Sequence, residues 1–128
     1  MITRFDHVFK ECTYQVFDAL KRDLNAALQG RNLTVFAYGQ SGSGKTWTIN
    51  GSKSEVGLIP ATLEFLLSEP AVCQVSMSWM QVYNEKILDL LSDSNAGLEL
   101  LQVNKNLIIS GLIEKRILEM QQFWDHHQ

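Results

Sequence analysis

The chain has 128 residues, of which 45% are hydrophobic and 20% are charged, and its formal net charge at pH 7 is −3. These values are typical of one globular domain with a hydrophobic core, and they exclude a disordered chain. The negative charge argues against a nucleic-acid binder that relies on phosphate contacts, and no apolar run reaches transmembrane length. Because there is no signal-peptide core, and because Cys12 and Cys73 show no zinc or disulfide spacing, we expect a cytosolic protein.

The first predicted element is an amphipathic helix over residues 13–30. Thr13 is suited to the N-cap and Gly30 to the stop, and apolar side chains recur between them at helical spacing. The next segment, residues 33–38, is almost wholly apolar and β-prone, so we expect a buried parallel strand. The apolar stripe of the helix consists of Phe17, Leu20, Leu24, Ala27 and Leu28.

Residues 39–46 match the phosphate-binding pattern G-x-x-x-x-G-K-[ST] at every fixed position. Glycines let successive backbone N–H groups turn around a phosphate, while Lys45 would reach the outer phosphates and the Thr46 hydroxyl would ligate Mg²⁺. A flexible surface turn would not explain the lysine and threonine after Gly44, or the apolar segment before Gly39. The predicted phosphate site consists of Gly39, Gln40, Ser41, Gly42, Ser43, Gly44, Lys45 and Thr46.

After this loop the pattern indicates a short or interrupted helix, because residues 47–51 combine β-branched side chains with an Asn-Gly pair. A second helix is predicted to begin near residues 57–60, where Pro60 is tolerated in a first turn. Alternating side chains over residues 72–83 predict one long strand, and residues 84–91 are expected to form a short helical turn.

The last part of the chain is predicted to hold a β-hairpin and a helix. The hairpin strands are expected at residues 98–103 and 107–112, around the tip Asn104-Lys105-Asn106. Residues from 119 onward indicate a helix, and the pair His126-His127 indicates an exposed tail rather than a metal site. This mixture of strands and helices predicts an α/β layered fold.

Five blocks of the sequence, in order, resemble motifs of the kinesin motor domain. The longest is similar to the block NGTVFAYGQTGSGKT, and the others resemble FDxVF with QxxVF, GIIP, IYNExIxDLL and GLTE. Five blocks in the order in which the family has them are far more specific evidence than the phosphate loop alone, and they cover nearly the whole chain. In this sequence the blocks are residues 5–9 with 15–17, 32–46, 57–60, 82–91 and 111–114.

The resemblance implies an α/β fold, the P-loop NTPase three-layer α-β-α sandwich of the kinesin motor type. It also implies ATP and Mg²⁺ as cofactors, microtubules as the partner, and a location in the cytoplasm on the microtubule cytoskeleton. Trp47 stands where the family places an aromatic beside adenine, and a core tryptophan is the equally weighted alternative. The hairpin corresponds to one that touches tubulin, so Asn104, Lys105 and Asn106 are candidate partner-binding residues, against the alternative of an ordinary exposed hairpin. No nucleic acid or membrane partner is expected.

Several parts of the family's motor are not found in this sequence. These are the first strand with R-x-R-P, the switch I pattern N-x-x-S-S-R-S-H and the switch II pattern D-x-x-G. We therefore expect residues 1–128 to be a partial motor domain, with an incomplete central sheet and without the main microtubule-binding helices. No catalytic residue is assigned, and Glu85 is favoured as a structural residue. The chain is expected to bind Mg·ATP weakly and not to turn it over measurably.

Three other functions compete with an ATP-binding motor segment. A GTPase would need N-K-x-D to read guanine, but residues 104–107 end in leucine. A small-molecule kinase would need several lid arginines, whereas the chain has only Arg4, Arg22, Arg31 and Arg116. A non-catalytic remnant that binds a partner is the alternative from another class. Nucleotide binding without turnover, or no binding at all, would favour that remnant.

Overall fold

The computed structural model describes residues 4–10, 13–52, 54–94 and 96–126. The chain divides into two compact units, Met1–Val72 and Cys73–Gln128. The described part of the first unit contains the helices α1 (Thr13–Leu28), α2 (Lys45–Asn50) and α3 (Leu58–Ser68). That of the second contains β1 (Val75–Met77), β2 (Met80–Tyr83), β3 (Lys86–Asp89), β4 (Glu99–Val103), β5 (Asn106–Ser110), β6 (Lys115–Ile117) and helix α4 (Met120–His126). None of the helices in these described ranges has the length and hydrophobicity needed to cross a membrane.

The first predicted helix is confirmed as α1, and its C-terminal stop is confirmed at Gly30. This glycine has a φ of 90°, in the left-handed region. Its N–H donates to Ala27 O at 2.9 Å, and the N–H of Arg31 donates to Ala26 O at 3.3 Å. These two hydrogen bonds form a Schellman motif, which satisfies carbonyls that the end of the helix would otherwise leave unpaired.

The N-cap prediction for Thr13 is wrong, because this residue already belongs to α1 and its side chain bonds elsewhere. Thr13 is 3% exposed. Its N–H and its hydroxyl both lie 2.8 Å from Glu55 Oε1, and the hydroxyl lies 2.7 Å from Val56 O. A tertiary partner therefore occupies the hydroxyl that local signals assigned to capping.

The predicted buried strand at residues 33–38 is also wrong. This segment is extended but belongs to no strand, and its exposed fractions include 80% for Phe36 and 94% for Tyr38. A strand is defined by hydrogen bonds to a neighbour, and no other strand in the described residues pairs with this one. The apolar, β-prone composition of this segment therefore predicted its extended backbone correctly, but it did not predict that the side chains would be exposed.

The short second helix and the helix after it are confirmed as α2 and α3. A β-carbon at Gly57, just before α3, would lie 2.3 Å from Asn50 C and Gly51 N, so this close approach requires glycine. Pro60 lies in the first turn of α3, as predicted. Helices α1 and α3 pack edge to face through Phe17 and Phe65, whose ring centroids are 6.4 Å apart. The buried apolar residues of this unit include Leu24, Leu58 and Leu63.

The strands of the second unit form three separate antiparallel pairs, β1 with β6, β2 with β3, and β4 with β5. The predicted long strand at residues 72–83 is therefore wrong as a single element. It is interrupted at residues 78–79, because its two halves pair with different partners. In β1, Val75 lies opposite Ile117, whereas in β2 Met80 lies opposite Asp89.

Two of the strand pairs are hairpins with two-residue turns. Asn84 and Glu85 have φ values of 47° and 61°, and Asn104 and Lys105 have 48° and 71°. Positive φ at both central residues is the signature of the type I′ turn, whose twist suits a β-hairpin. The predicted helical turn at residues 84–91 is therefore wrong, while the hairpin predicted around residues 104–106 is confirmed with a tip one residue shorter.

The core of the second unit is aromatic. Phe123 is fully buried, and its ring centroid lies 5.9 Å from that of Trp79 and 5.0 Å from that of Trp124. Ile117 at the end of β6 is 1% exposed. The predicted C-terminal helix is confirmed as α4, which contributes Phe123 to this core. Of the two predicted tail histidines, His126 ends α4 and His127 lies outside the described residues.

Replacing Glu85 by glycine is expected to raise the free energy of unfolding by about 0.5–1 kcal/mol, because a side chain in the left-handed region is strained and glycine is not. Urea unfolding followed by circular dichroism measures this change. Lys105→Gly, at the equivalent turn position, should act in the same direction, whereas Lys86→Gly inside β3 should destabilise. A loss of stability in Glu85→Gly would contradict the type I′ assignment.

Candidate functional site

The loop of residues 39–44 connects the extended segment to α2, and its conformation depends on glycine. Gly42 and Gly44 have φ values of 77° and 89°, where an ordinary side chain costs about 1–2 kcal/mol. A β-carbon at Gly39 would lie 2.6 Å from Ser43 Oγ. The Ser43 N–H donates to Gln40 O at 3.2 Å and closes a turn within the loop.

Most backbone donors of this loop are free. Within residues 40–46, all of which the structure describes, Ser43 is the one residue whose N–H donates to a backbone acceptor. The N–H groups of Gly42, Gly44 and Lys45 therefore have no backbone partner in this part of the chain. Successive unpaired N–H groups, on residues that alternate between right-handed and left-handed backbone conformations, form a concave site called a nest. A nest fits an anion such as phosphate.

The Lys45 ammonium lies against this same loop. Its Nζ donates to Gly39 O at 2.8 Å and to Gln40 O at 2.7 Å. Lysine is a compact charge on a flexible stem, so a small movement would carry the ammonium from these carbonyls to a phosphate oxygen. The free N–H groups and the lysine are the donor set that a polyphosphate requires, and the loop therefore fits the phosphates of a nucleotide.

Thr46 and Trp47 follow the loop on α2, and both are exposed. The Thr46 hydroxyl forms no hydrogen bond within the described residues, which leaves it available as a ligand. Trp47 is 42% exposed, so it is not the core tryptophan that was one of its two interpretations. The described residues contain no cluster of three or more histidine, cysteine or acidic side chains that could hold a metal ion.

The other predicted binding residues lie in the second unit, at the tip between β4 and β5. Asn104 and Lys105 form the turn, Asn106 is the first residue of β5, and all three are exposed. Lys105 is the only charge among them. The structure thus presents these three residues together on an exposed hairpin tip.

Two carboxylates of the second unit have structural positions. Glu85 is exposed in its hairpin turn, and its structural role stays a prediction. Asp89, which sequence reasoning did not single out, is 5% exposed and accepts two backbone hydrogen bonds. Its Oδ1 accepts from Leu91 N–H at 2.8 Å and its Oδ2 from Ile113 N–H at 2.8 Å. The signal that could have revealed it is an acidic residue within the apolar run of residues 87–91.

A glycine loop with unpaired N–H groups, followed by lysine and threonine at a helix start, defines a nucleotide-binding protein of the P-loop class. Residues 2–128 match the family model of the kinesin motor domain. The chain therefore belongs to the kinesin motor domain family, whose members bind nucleotides.

Known relatives agree with this assignment. The chain is 37% identical to the kinesin-like protein KIN-7O of Arabidopsis thaliana, over 97% of this chain and 11% of that protein. It is 33% identical to the protein claret segregational of Drosophila melanogaster, over 92% of this chain and 19% of that protein.

A solved structure described as that of a fast kinesin has a TM-score of 0.85 and 30% identity, covering 96% of this chain and 39% of that chain. The predicted fold class is thereby confirmed as an α/β fold of the kinesin motor type. The described residues form three two-stranded ladders, in keeping with an incomplete central sheet. The chain spans less than a fifth of the length of the two relatives named above.

Proposed function

We propose that this chain is the ATP-binding segment of a kinesin-like microtubule motor. The observation that carries the proposal is the loop of residues 39–46, with its left-handed glycines, its unpaired N–H groups and its lysine. In complete members of the family, ATP hydrolysis at such a site is coupled to movement along microtubules. Residues 1–128 would then be a partial motor domain that supplies the phosphate-binding part of the site.

In this proposal each element of the loop has a separate task. The backbone N–H groups from Gln40 to Thr46 surround the phosphates, and the Lys45 ammonium exchanges its two carbonyl acceptors for phosphate oxygens. The exchange is favourable because a phosphate oxygen carries negative charge, so the ammonium gains a charge–charge attraction that a neutral carbonyl does not offer. The Thr46 hydroxyl would hold Mg²⁺, which would offset phosphate charge, and Trp47 would offer its exposed ring to the adenine.

We further propose that the chain binds ATP without turning it over. Phosphoryl transfer requires a group that orients the attacking water and a sensor for the outer phosphate. The sequence contains neither switch pattern, and the acidic residue closest to a catalytic interpretation, Glu85, occupies an exposed hairpin turn. No residue is therefore assigned to catalysis.

Microtubule contact by this chain alone would be weak. The hairpin tip, Asn104 to Asn106, presents the single charge of Lys105, with Lys115 and Arg116 further along in β6. A few exposed cations against an acidic partner contribute little at physiological salt. A cytoplasmic location on microtubules follows for a longer motor that contains this segment.

The non-catalytic remnant is the second candidate, and one observation favours it. Residues 32–38 are extended with exposed apolar side chains, and no backbone hydrogen bond of theirs is found within the described residues, which is a surface suited to pairing with a strand of another protein. In this alternative, the chain acts by binding a partner, and nucleotide affinity is incidental or lost.

A titration of the 128-residue chain with a fluorescent ATP analogue tests the ATP-binding proposal. We expect saturable binding with Mg²⁺, weaker binding with EDTA, and no steady release of phosphate from ATP. Absence of binding at millimolar nucleotide would overturn the ATP-binding proposal and favour the remnant. Steady phosphate release that disappears in Lys45→Ala would instead overturn the proposed lack of turnover.

A further inference from the structure

A groove of about 750 Å³ lies in the first unit, away from the residues assigned to nucleotide binding. It is bounded by α1, by residues 54–56 and by α3. The volume falls in the range of small-molecule sites, which are about 300–1,000 Å³. None of residues 39–47 lines it, so it is a separate feature of the surface.

Three aromatic side chains line the groove, Tyr14 and Phe17 from α1 and Phe65 from α3. Two of these rings already attract an ammonium, since Lys21 Nζ lies 5.7 Å from the ring centroid of Tyr14 and 5.7 Å from that of Phe17. Distances below about 6 Å are those at which a cation is attracted to a ring. A hydrogen bond to Asp18, followed by the nearby Tyr14, raises the pKa of Lys21.

The groove is also negatively charged. Among the described residues that line it, Glu55 and Glu64 are acidic and none is a lysine, arginine or histidine. Glu55 is held in place because its Oε1 accepts from the N–H and the hydroxyl of Thr13 at 2.8 Å. Its second oxygen, Oε2, has no hydrogen-bond partner within the described residues, and neither carboxylate forms an ion pair there.

We propose that this groove binds a small organic cation, an amine with an aromatic or alkyl body. The carboxylates of Glu55 and Glu64 neutralise the ammonium, and the rings of Tyr14, Phe17 and Phe65 cover its apolar part. Each feature selects for a different property, since carboxylates alone would accept any cation and apolar walls alone would accept a neutral molecule. The proposal is independent of nucleotide binding.

The test uses 2-phenylethylammonium as the probe and 2-phenylethanol as its uncharged counterpart, titrated into the 128-residue chain and followed by amide shifts in NMR. We expect saturable binding of the ammonium at millimolar concentration, with shifts centred on residues 13–17 and 61–68. The alcohol should bind at least about tenfold more weakly, because it lacks the charge. Equal binding of the two compounds would overturn the proposal.

Variants separate the groove from general electrostatic attraction. Glu64→Gln should weaken binding of 2-phenylethylammonium about three- to tenfold, and Glu55→Gln, which retains the oxygen that accepts from Thr13, should do the same. Glu69→Gln removes a carboxylate at the end of α3 that does not line the groove, and should leave affinity unchanged. An equal loss in Glu69→Gln, or binding of a tetralysine peptide in preference to 2-phenylethylammonium, would overturn a small-cation site.

Discussion

Replacing Asp89 by alanine is expected to lower the free energy of unfolding by about 3–6 kcal/mol, since two hydrogen bonds to a charged acceptor are lost at about 1.5–3 kcal/mol each. The carboxylate is buried and joins two places that lie far apart in the sequence. It accepts from Leu91, two residues away, and from Ile113, 24 residues away. Without it, the N–H of Leu91 would remain buried and that of Ile113 partly buried, both without this acceptor.

Urea unfolding followed by tryptophan fluorescence measures this loss, because Trp79 and Trp124 contact the core residue Phe123 in the same unit. Asp93→Ala is the matched control. Asp93 is exposed, and removing it should change stability by less than about 0.5 kcal/mol. If Asp89→Ala is too unstable to study, Asp89→Asn retains one acceptor and should lose roughly half as much. A change below about 1 kcal/mol in Asp89→Ala would show that the carboxylate does not hold these segments together.

Replacing Lys45 by alanine is expected to weaken binding of the fluorescent ATP analogue about 10- to 100-fold, which is the loss of one charged hydrogen-bonding group to phosphate. The stability of the chain should change by less than about 1 kcal/mol, because the two hydrogen bonds of Lys45 are exposed to solvent. Affinity and stability should therefore respond separately, which distinguishes a binding residue from a structural one.

Equilibrium titration and urea unfolding of the same samples measure the two effects. Lys10→Ala removes an exposed lysine of the first unit outside the loop, and it should bind the analogue like the unchanged chain. Should Lys45→Ala bind normally, or should it lose affinity only in proportion to lost stability, the phosphate-binding role of Lys45 would be rejected.

Features that depend on a few neighbouring residues could be predicted from the sequence. Gly30 ends α1 because its backbone has a left-handed φ, which glycine adopts without a steric cost. This requirement depends only on neighbouring residues, so the sequence reveals it. The same reasoning placed the phosphate loop, since Gly42 and Gly44 need positive φ and Lys45 follows at a fixed spacing. The hairpin around residues 104–106 was equally visible, as two alternating segments on either side of polar residues.

The errors share one physical origin, which is that hydrogen-bond partners outside a segment decide its structure. Thr13 has the right side chain for a cap, yet Glu55 and Val56 compete for its hydroxyl. The run at residues 84–91 has helical composition, yet pairing with β2 draws it into a strand. Local propensities differ by fractions of a kcal/mol, so a few tertiary hydrogen bonds and contacts outweigh them.

The candidate site shows the same division. Residue order alone specified the loop of residues 39–46 and the family, because phosphate binding by backbone N–H groups needs glycine, lysine and threonine at fixed spacing within one short segment. Only the folded chain showed that Lys45 contacts the carbonyls of its own loop, that Trp47 is exposed, and that Asp89 ties residues 91 and 113 together. It also brought Glu55 and Glu64 to one aromatic groove. The groove and the contact of Asp89 with Ile113 join residues that are distant in sequence, and the free energy that selects them comes from burial and hydrogen bonds formed only when the chain is packed.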